Sequence, residues 1–198
     1  MNYLAHAFLS FNNADLLVGN MIADYIKGNK QFEYSSQIQA GIKLHRAIDF
    51  FTDTHEASQE IKNLFKPTYR LYAGAFIDVV YDYFLANDRI HFTTENELRI
   101  FADITYQILE KRQQDFPEKF GIMFPFMQSQ DWLYNYRTDI GMQKSFGGLR
   151  KRAKYIEETD TAFEIFLDNK QTIQHAYDVF FPDLKNFALN KSAELLKN

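Results

Sequence analysis

The segment Phe76-Ile77-Asp78-Val79-Val80-Tyr81-Asp82-Tyr83-Phe84-Leu85 constrains the fold more than any other stretch of the chain. As a helix it is apolar on nearly every side, so it has to be buried among other elements. Yet it carries two carboxylates one turn apart. An ionised carboxylate inside a core costs several kcal/mol unless it is paired, hydrogen-bonded or bound to a metal. Asp78 and Asp82 therefore need partners. Two answers are open: a structural ion pair, with Arg46 or Arg70 as the candidate cation, or a functional site.

What surrounds that helix is also predicted to be helical, because periodicity near 3.6 residues runs through most of the sequence. A first helix is expected from about Asp15 to Lys27, closed by Gly28. Ser35 and Ser36 can cap a second, running to about Thr52. A third, from Glu56 to Phe65, is expected to stop at Pro67, and a fourth to run from Thr68 to Ala86. Thr94 and Glu97 read as a capping box for a fifth, to about Gln114. Pro117 opens an aromatic stretch with a short helix through Trp132. Thr161 and Glu164 read as a second capping box, before a long helix to Phe181, and Pro182 can start the last one. No sustained alternation, hairpin turn, internal repeat or Pro/Gly/Ser linker appears. With 8 Gly, 4 Pro, 20 Phe and 12 Tyr in 198 residues, the expectation is an all-α, compact single-domain multi-helix bundle over residues 1–198.

Several classes of function lose support at once. The chain has no cysteine, so disulfides, thiolate zinc sites and cysteine nucleophiles are out. Met1 to Ser10 has neither a basic region nor a small-residue cleavage site, and no apolar run is long enough to span a bilayer. These features lead to an expected cytoplasmic protein with no membrane association. A net charge of −4 argues against nucleic-acid binding. The Walker A, Gly-x-Gly-x-x-Gly, Gly-x-Ser-x-Gly and His-Glu-x-x-His patterns are all missing.

The candidate chemistry lies elsewhere. In Gly41 to Asp53, His45, Asp49 and Asp53 recur every four residues, and each step drifts only about 40° around a helix. They share one face and can hold a divalent cation; a polar solvent-facing stripe, or an Asp49–arginine pair, is the alternative. Asp24 sits among apolar neighbours in Gly19 to Gly28, where it can pair with Lys27 or with solvent. His6, in Tyr3-Leu4-Ala5-His6-Ala7-Phe8-Leu9, is a lone histidine that could equally be a satisfied core residue. One histidine with several carboxylates on three helices is an oxygen-rich set. It favours Mn²⁺ or Mg²⁺, ions that assist phosphoester hydrolysis. Arg150, Lys151, Arg152 and Lys154 form a basic run in a net acidic chain: a solvated helix end, or a docking patch for an acidic partner.

Taken in order, these pieces resemble the acyl carrier protein phosphodiesterase family. The resemblance is carried by Met1 to His6, Gly19-Asn20 with Ala23-Asp24, Gly41 to Asp53, and Asp78 with Asp82-Tyr83-Phe84-Leu85. Asp131-Trp132-Leu133, Tyr136-Arg137 and the basic run from Arg150 extend it. It implies an enzyme that removes the 4′-phosphopantetheine group from holo-acyl carrier protein with Mn²⁺ or a similar ion. It also implies an atypical relative of the HD phosphohydrolases, although here His45 is followed by Arg46 and no His-Asp dipeptide exists. Roles therefore carry over only to matching positions. Asp24, His45, Asp49, Asp78 and Asp82 become the metal ligands implied by the resemblance. His6, Arg46 and Asp53 become catalytic residues, with His6 able to protonate the leaving serine oxygen and Arg46 to offset phosphoryl charge. Arg137, Arg150, Lys151, Arg152 and Lys154 become the surface that meets the carrier protein. The competing functions are a phosphohydrolase of a small nucleotide or phosphoester, and a non-catalytic helical binding protein in which Asp78 and Asp82 are only ion-pair partners.

Overall fold

A computed structural model describes residues 1–197. Among these residues there are eleven α-helices, four short 3-10 helices and no strand, so the all-α expectation holds. The α-helices are α1 Tyr3–Phe8, α2 Ala14–Ile22, α3 Ser36–Thr54, α4 Glu56–Tyr69, α5 Ala73–Asn87, α6 Glu95–Glu110, α7 Glu118–Ser129, α8 Trp132–Asn135, α9 Asp139–Arg152, α10 Asp160–Asp168 and α11 Lys170–Leu195. None of them is long and apolar enough to cross a membrane.

The apolar helix α5 lies at the centre. Phe76, Ile77, Val79, Val80, Tyr81, Phe84 and Leu85 are all buried, and α1, α4, α9 and α11 pack around it. Aromatic rings tie these helices together. Phe76 meets Phe65, Tyr69 and Phe146, while Tyr81 stacks on Phe180 with ring centroids 4.5 Å apart.

Helix starts follow the capping residues closely. Ser35 Oγ accepts from the Ile38 amide to start α3. Thr94 Oγ1 accepts from the Glu97 amide, and the Glu97 carboxylate returns to the Thr93 amide, giving α6 the expected reciprocal box one residue displaced. Helix ends depart from expectation at the prolines. α4 runs through Pro67 to Tyr69, and the chain turns instead at Arg70, whose φ is +49°. A proline removes one helical hydrogen bond but leaves packing intact, and here buried Phe65 and Tyr69 lie on either side of it. The same holds at Pro182, which lies inside α11 between buried Phe181 and Leu184 rather than opening a new helix. Thr161 does not cap either. The helix breaks at Asn169 into α10 and α11, and it is the Glu158 carboxylate that accepts from the Thr161 amide.

Two elements set up the region of interest. Between α1 and α2 the chain turns sharply at Phe11 and Asn12, both with positive φ. That reversal lays α2 beside α1. Helix α2 then packs more extensively on α3 than on any other helix, and the crossing is closest at Gly19 and Gly41. A Cβ on Gly19 would lie 2.8 Å from the Gly41 Cα and closer still to the Ile38 carbonyl oxygen. Backbone cannot yield as a side-chain tip can. Gly19→Ala is therefore expected to lose about 3 kcal/mol of stability, at the upper end for overpacking, measured by urea unfolding. A loss under about 0.5 kcal/mol would mean that the helices separate freely.

Candidate metal centre

The close crossing of α2 and α3 brings the end of α2 against His45, while the turn at Phe11 and Asn12 brings His6 beside Asn20. The result is a cluster drawn from α1, α2 and α3. His6 and His45 are buried, and their rings stack with centroids 3.9 Å apart and planes within 15°. Asp49 lies across both: its Oδ1 is 3.1 Å from His6 Nε2 and its Oδ2 is 3.1 Å from His45 Nε2. Asp24, on the 3-10 turn that follows α2, puts Oδ1 3.2 Å from the same His45 nitrogen. His6, His45 and Asp49 thus form a triad whose donor atoms lie close enough together to hold one ion.

Hydrogen bonding fixes which ring nitrogens face the cluster. Asn20 Nδ2 donates to the His6 carbonyl at 2.9 Å and to Ser10 Oγ at 3.1 Å, so its Oδ1 must be the atom facing His6 Nδ1 at 2.9 Å. Nδ1 of His6 is therefore the donor. Its Nε2 then turns a lone pair toward Asp49 Oδ1 and the Met1 carbonyl oxygen, both acceptors at 3.1 Å. In the same way His45 Nδ1 donates to the Asn20 carbonyl oxygen at 2.8 Å. Its Nε2 is left facing two carboxylates. Two imidazole nitrogens and two carboxylates thus converge on one point; without an ion the positive charge there is the His45 proton, and the same donor set fits a divalent cation that displaces it.

The ring charges agree with this geometry. His6 is held neutral: burial, with His45 adjacent, lowers its pKa to about 4. For His45 burial also opposes the charge, but hydrogen bonds to Asp24 and Asp49 outweigh it and raise the pKa to about 9. Asp24 is lowered, chiefly by the hydrogen bond from His45. Burial would raise Asp49, yet the Met1 ammonium and both histidines take it well below the usual carboxylate range. The sign of the pH dependence follows. In the metal-free protein His45 contributes stability that is complete below the ordinary imidazole value and is lost as pH rises through about 9. An ion at His45 Nε2 must expel that proton. Mn²⁺ affinity is accordingly expected to rise about tenfold per pH unit from neutrality and to level off above pH 9. Titration calorimetry in buffers of different ionisation enthalpy should detect one proton released; a flat affinity between pH 7 and 9 would contradict it.

The remaining sequence candidates take other places. Asp78 Oδ1 accepts at 2.9 Å from the α-ammonium of Met1, which also reaches Asp49 Oδ1 at 3.3 Å. Asp82, fully buried, accepts from the backbone amides of Asn2, Leu4 and Ala5 at 3.3, 2.7 and 3.2 Å. Asp53 lies exposed outside the cluster and pairs with Lys62 Nζ at 2.7 Å. Arg46 also points outward, donating to Gln31 Oε1 at 2.9 Å and to the Ile26 carbonyl oxygen. Arg137 is engaged by Glu95 and lies over the Tyr134 ring. Arg150, Lys151, Arg152 and Lys154 are exposed at the end of α9 and just beyond it. Burial raises the phenols of Tyr3 and Tyr136, and Arg152 is close enough for its charge to act on both. The Tyr3 hydroxyl lies 3.0 Å from that of Tyr25, the neighbour of Asp24. Asn20 did not stand out as a site residue in the sequence; only its place in the matching Gly19-Asn20 pair pointed there.

The family described as acyl carrier protein phosphodiesterase matches residues 1–184. A protein of that name from Photorhabdus laumondii is 28% identical over 191 residues, covering 96% of each chain. One from Klebsiella pneumoniae (strain ATCC 700721) is 28% identical, covering 96% of this chain and 99% of its own. One from Yersinia pestis is 27% identical with the same coverage. No solved structure matches.

Proposed function

The chain belongs to the acyl carrier protein phosphodiesterase family, and from that premise we propose that it hydrolyses the 4′-phosphopantetheine group from holo-acyl carrier protein with the aid of a divalent cation. The observation that carries the metal requirement is the convergence of two unprotonated or displaceable Nε2 positions on Asp49, each opposite a carboxylate oxygen at 3.1 Å. His6, His45 and Asp49 would hold the ion, with Asp24 beside them. A mixed set of imidazole nitrogen and carboxylate oxygen suits Mn²⁺, and the two imidazoles weigh against Mg²⁺. When bound, such an ion supplies Lewis-acid polarisation of the phosphoryl oxygen and an activated water.

The chain's own residues supply the rest. Asp24 is mostly exposed and held ionised by His45, so it faces the solvent side of the centre, where it can orient a water by accepting a hydrogen bond from it. Asp78 and the Met1 ammonium hold Asp49 from behind. The exposed basic run, Arg152 and its neighbours at the end of α9, gives an acidic carrier protein a landing surface, which speeds encounter more than it tightens the complex.

Intact-mass spectrometry of holo-acyl carrier protein, incubated with the enzyme and Mn²⁺, tests this directly. Loss of one phosphopantetheine mass, blocked by EDTA, is the expected result. An unchanged carrier mass together with turnover of small phosphodiesters would make it a small-molecule phosphohydrolase instead.

A further inference from the structure

Asn20 touches both histidines of the candidate centre with two different atoms. Its side-chain Oδ1 accepts from His6 Nδ1 at 2.9 Å, and its backbone oxygen accepts from His45 Nδ1 at 2.8 Å. The backbone oxygen is free to do so because Asn20 lies in the last turn of α2, where carbonyls have no partner four residues on. The side chain is free to do only one thing. It is wholly buried, and both its Nδ2 protons are used, on the His6 carbonyl and on Ser10 Oγ. Ser10 Oγ in turn donates to the His6 carbonyl at 2.8 Å, which closes the network and prevents the amide from flipping.

We propose that Asn20 is the positioning residue of the metal centre: one residue sets the tautomer of both imidazoles and so aims both Nε2 lone pairs at the ion. The role rests on the metal-centre reading given above. It differs from that of a ligand, because Asn20 presents no atom to the ion. It differs also from that of a generic core residue. An apolar side chain of the same size would fill the space but leave His6 Nδ1 without an acceptor, and the His6 ring would lose its reason to keep the proton on that nitrogen. The paired arrangement also explains why α2 must approach α3 at Gly19 and Gly41: the residue after the close crossing is the one that reaches His45.

The test uses the full chain with Asn20→Ala and Asn20→Asp. Ala removes the acceptor for His6 and leaves the backbone acceptor for His45 in place. Asp restores an acceptor for His6 while losing the amide donors. Two readings are taken: Mn²⁺ affinity by calorimetry, and the His6 tautomer by nitrogen-15 NMR on the metal-free protein. The expected result is an affinity about 10–100-fold weaker for Asn20→Ala, a His6 signal that shifts from the Nδ1–H form to a mixture, and partial recovery of both in Asn20→Asp. If Asn20→Ala does not fold, Ser10→Ala, which loosens the amide without touching either ring, should show the same direction with a smaller change. Native affinity and an unchanged Nδ1–H signal in Asn20→Ala, or in Ser10→Ala should that be the variant that folds, would overturn the assignment while leaving the metal centre standing. A native protein that binds no Mn²⁺ would overturn the metal-centre reading and this inference with it.

Discussion

Asp49→Asn is expected to reduce Mn²⁺-dependent turnover on the order of a thousandfold or more while leaving the helical fold in place. Asp49 is the one carboxylate of the cluster that reaches both imidazoles, one oxygen to each at 3.1 Å. Asparagine keeps the volume but exchanges one of those oxygens for an amide nitrogen. That nitrogen can donate to a histidine lone pair, so the cavity stays filled, but the buried Met1 ammonium and His45 lose a counter-charge and some stability goes with it. It offers nothing to a cation, and the negative charge facing the ion is gone. Turnover per folded molecule should therefore fall even though the helical fold persists. The corresponding change at Asp53 should do almost nothing, because that carboxylate is exposed and its pair with Lys62 is a surface one, worth about 1 kcal/mol or less. Calorimetric Mn²⁺ binding and the carrier-mass assay, run beside circular dichroism, would check both. An Asp49→Asn protein with native metal affinity would remove Asp49 from the centre.

The pair His45 and Asp49 was readable in the sequence because helix geometry is local: four residues return about 40° past alignment, and the two side chains meet. Asp53 dropped out for the same reason. Two such steps accumulate, and by Asp53 the face has turned to solvent. The demand that Asp78 and Asp82 find partners was readable too, from burial alone. Who the partners are was not. Neither Arg46 nor Arg70 answers it; the α-ammonium of Met1 and three backbone amides at the start of α1, that of its cap Asn2 among them, do. Backbone groups are the same in every residue and leave no trace in a residue pattern. The double use of Asn20, by side chain and by carbonyl, is hidden in the same way. His6 was ambiguous as a lone histidine in an apolar stretch, since only the turn at Phe11 and Asn12 brings it against α2. The prolines at 67 and 182 misled because their local effect is real but small beside the burial of the aromatic residues around them.

Asp82→Ala is expected to lose about 4 kcal/mol of stability, because it strips three backbone amides, two of them buried, of their acceptor at once. A short helix cannot satisfy its own first amides, and α1 has only six residues. Asp82 supplies what those amides lack from the neighbouring helix α5, and so fastens α1, with His6 on it, to the core. Against a total stability of about 5–15 kcal/mol the loss is large. Asp82→Asn keeps one carboxamide oxygen and should lose about half as much. If Asp82 instead served as a metal ligand, the pattern would reverse. With an ion as its real partner, the metal-free protein would tolerate alanine, and the penalty would appear only when Mn²⁺ is present. Urea unfolding of native and Asp82→Ala proteins in EDTA separates the two roles. A large difference in EDTA makes Asp82 the anchor of α1. No difference in EDTA, with Mn²⁺ stabilising only the native protein, would return it to the ligand set.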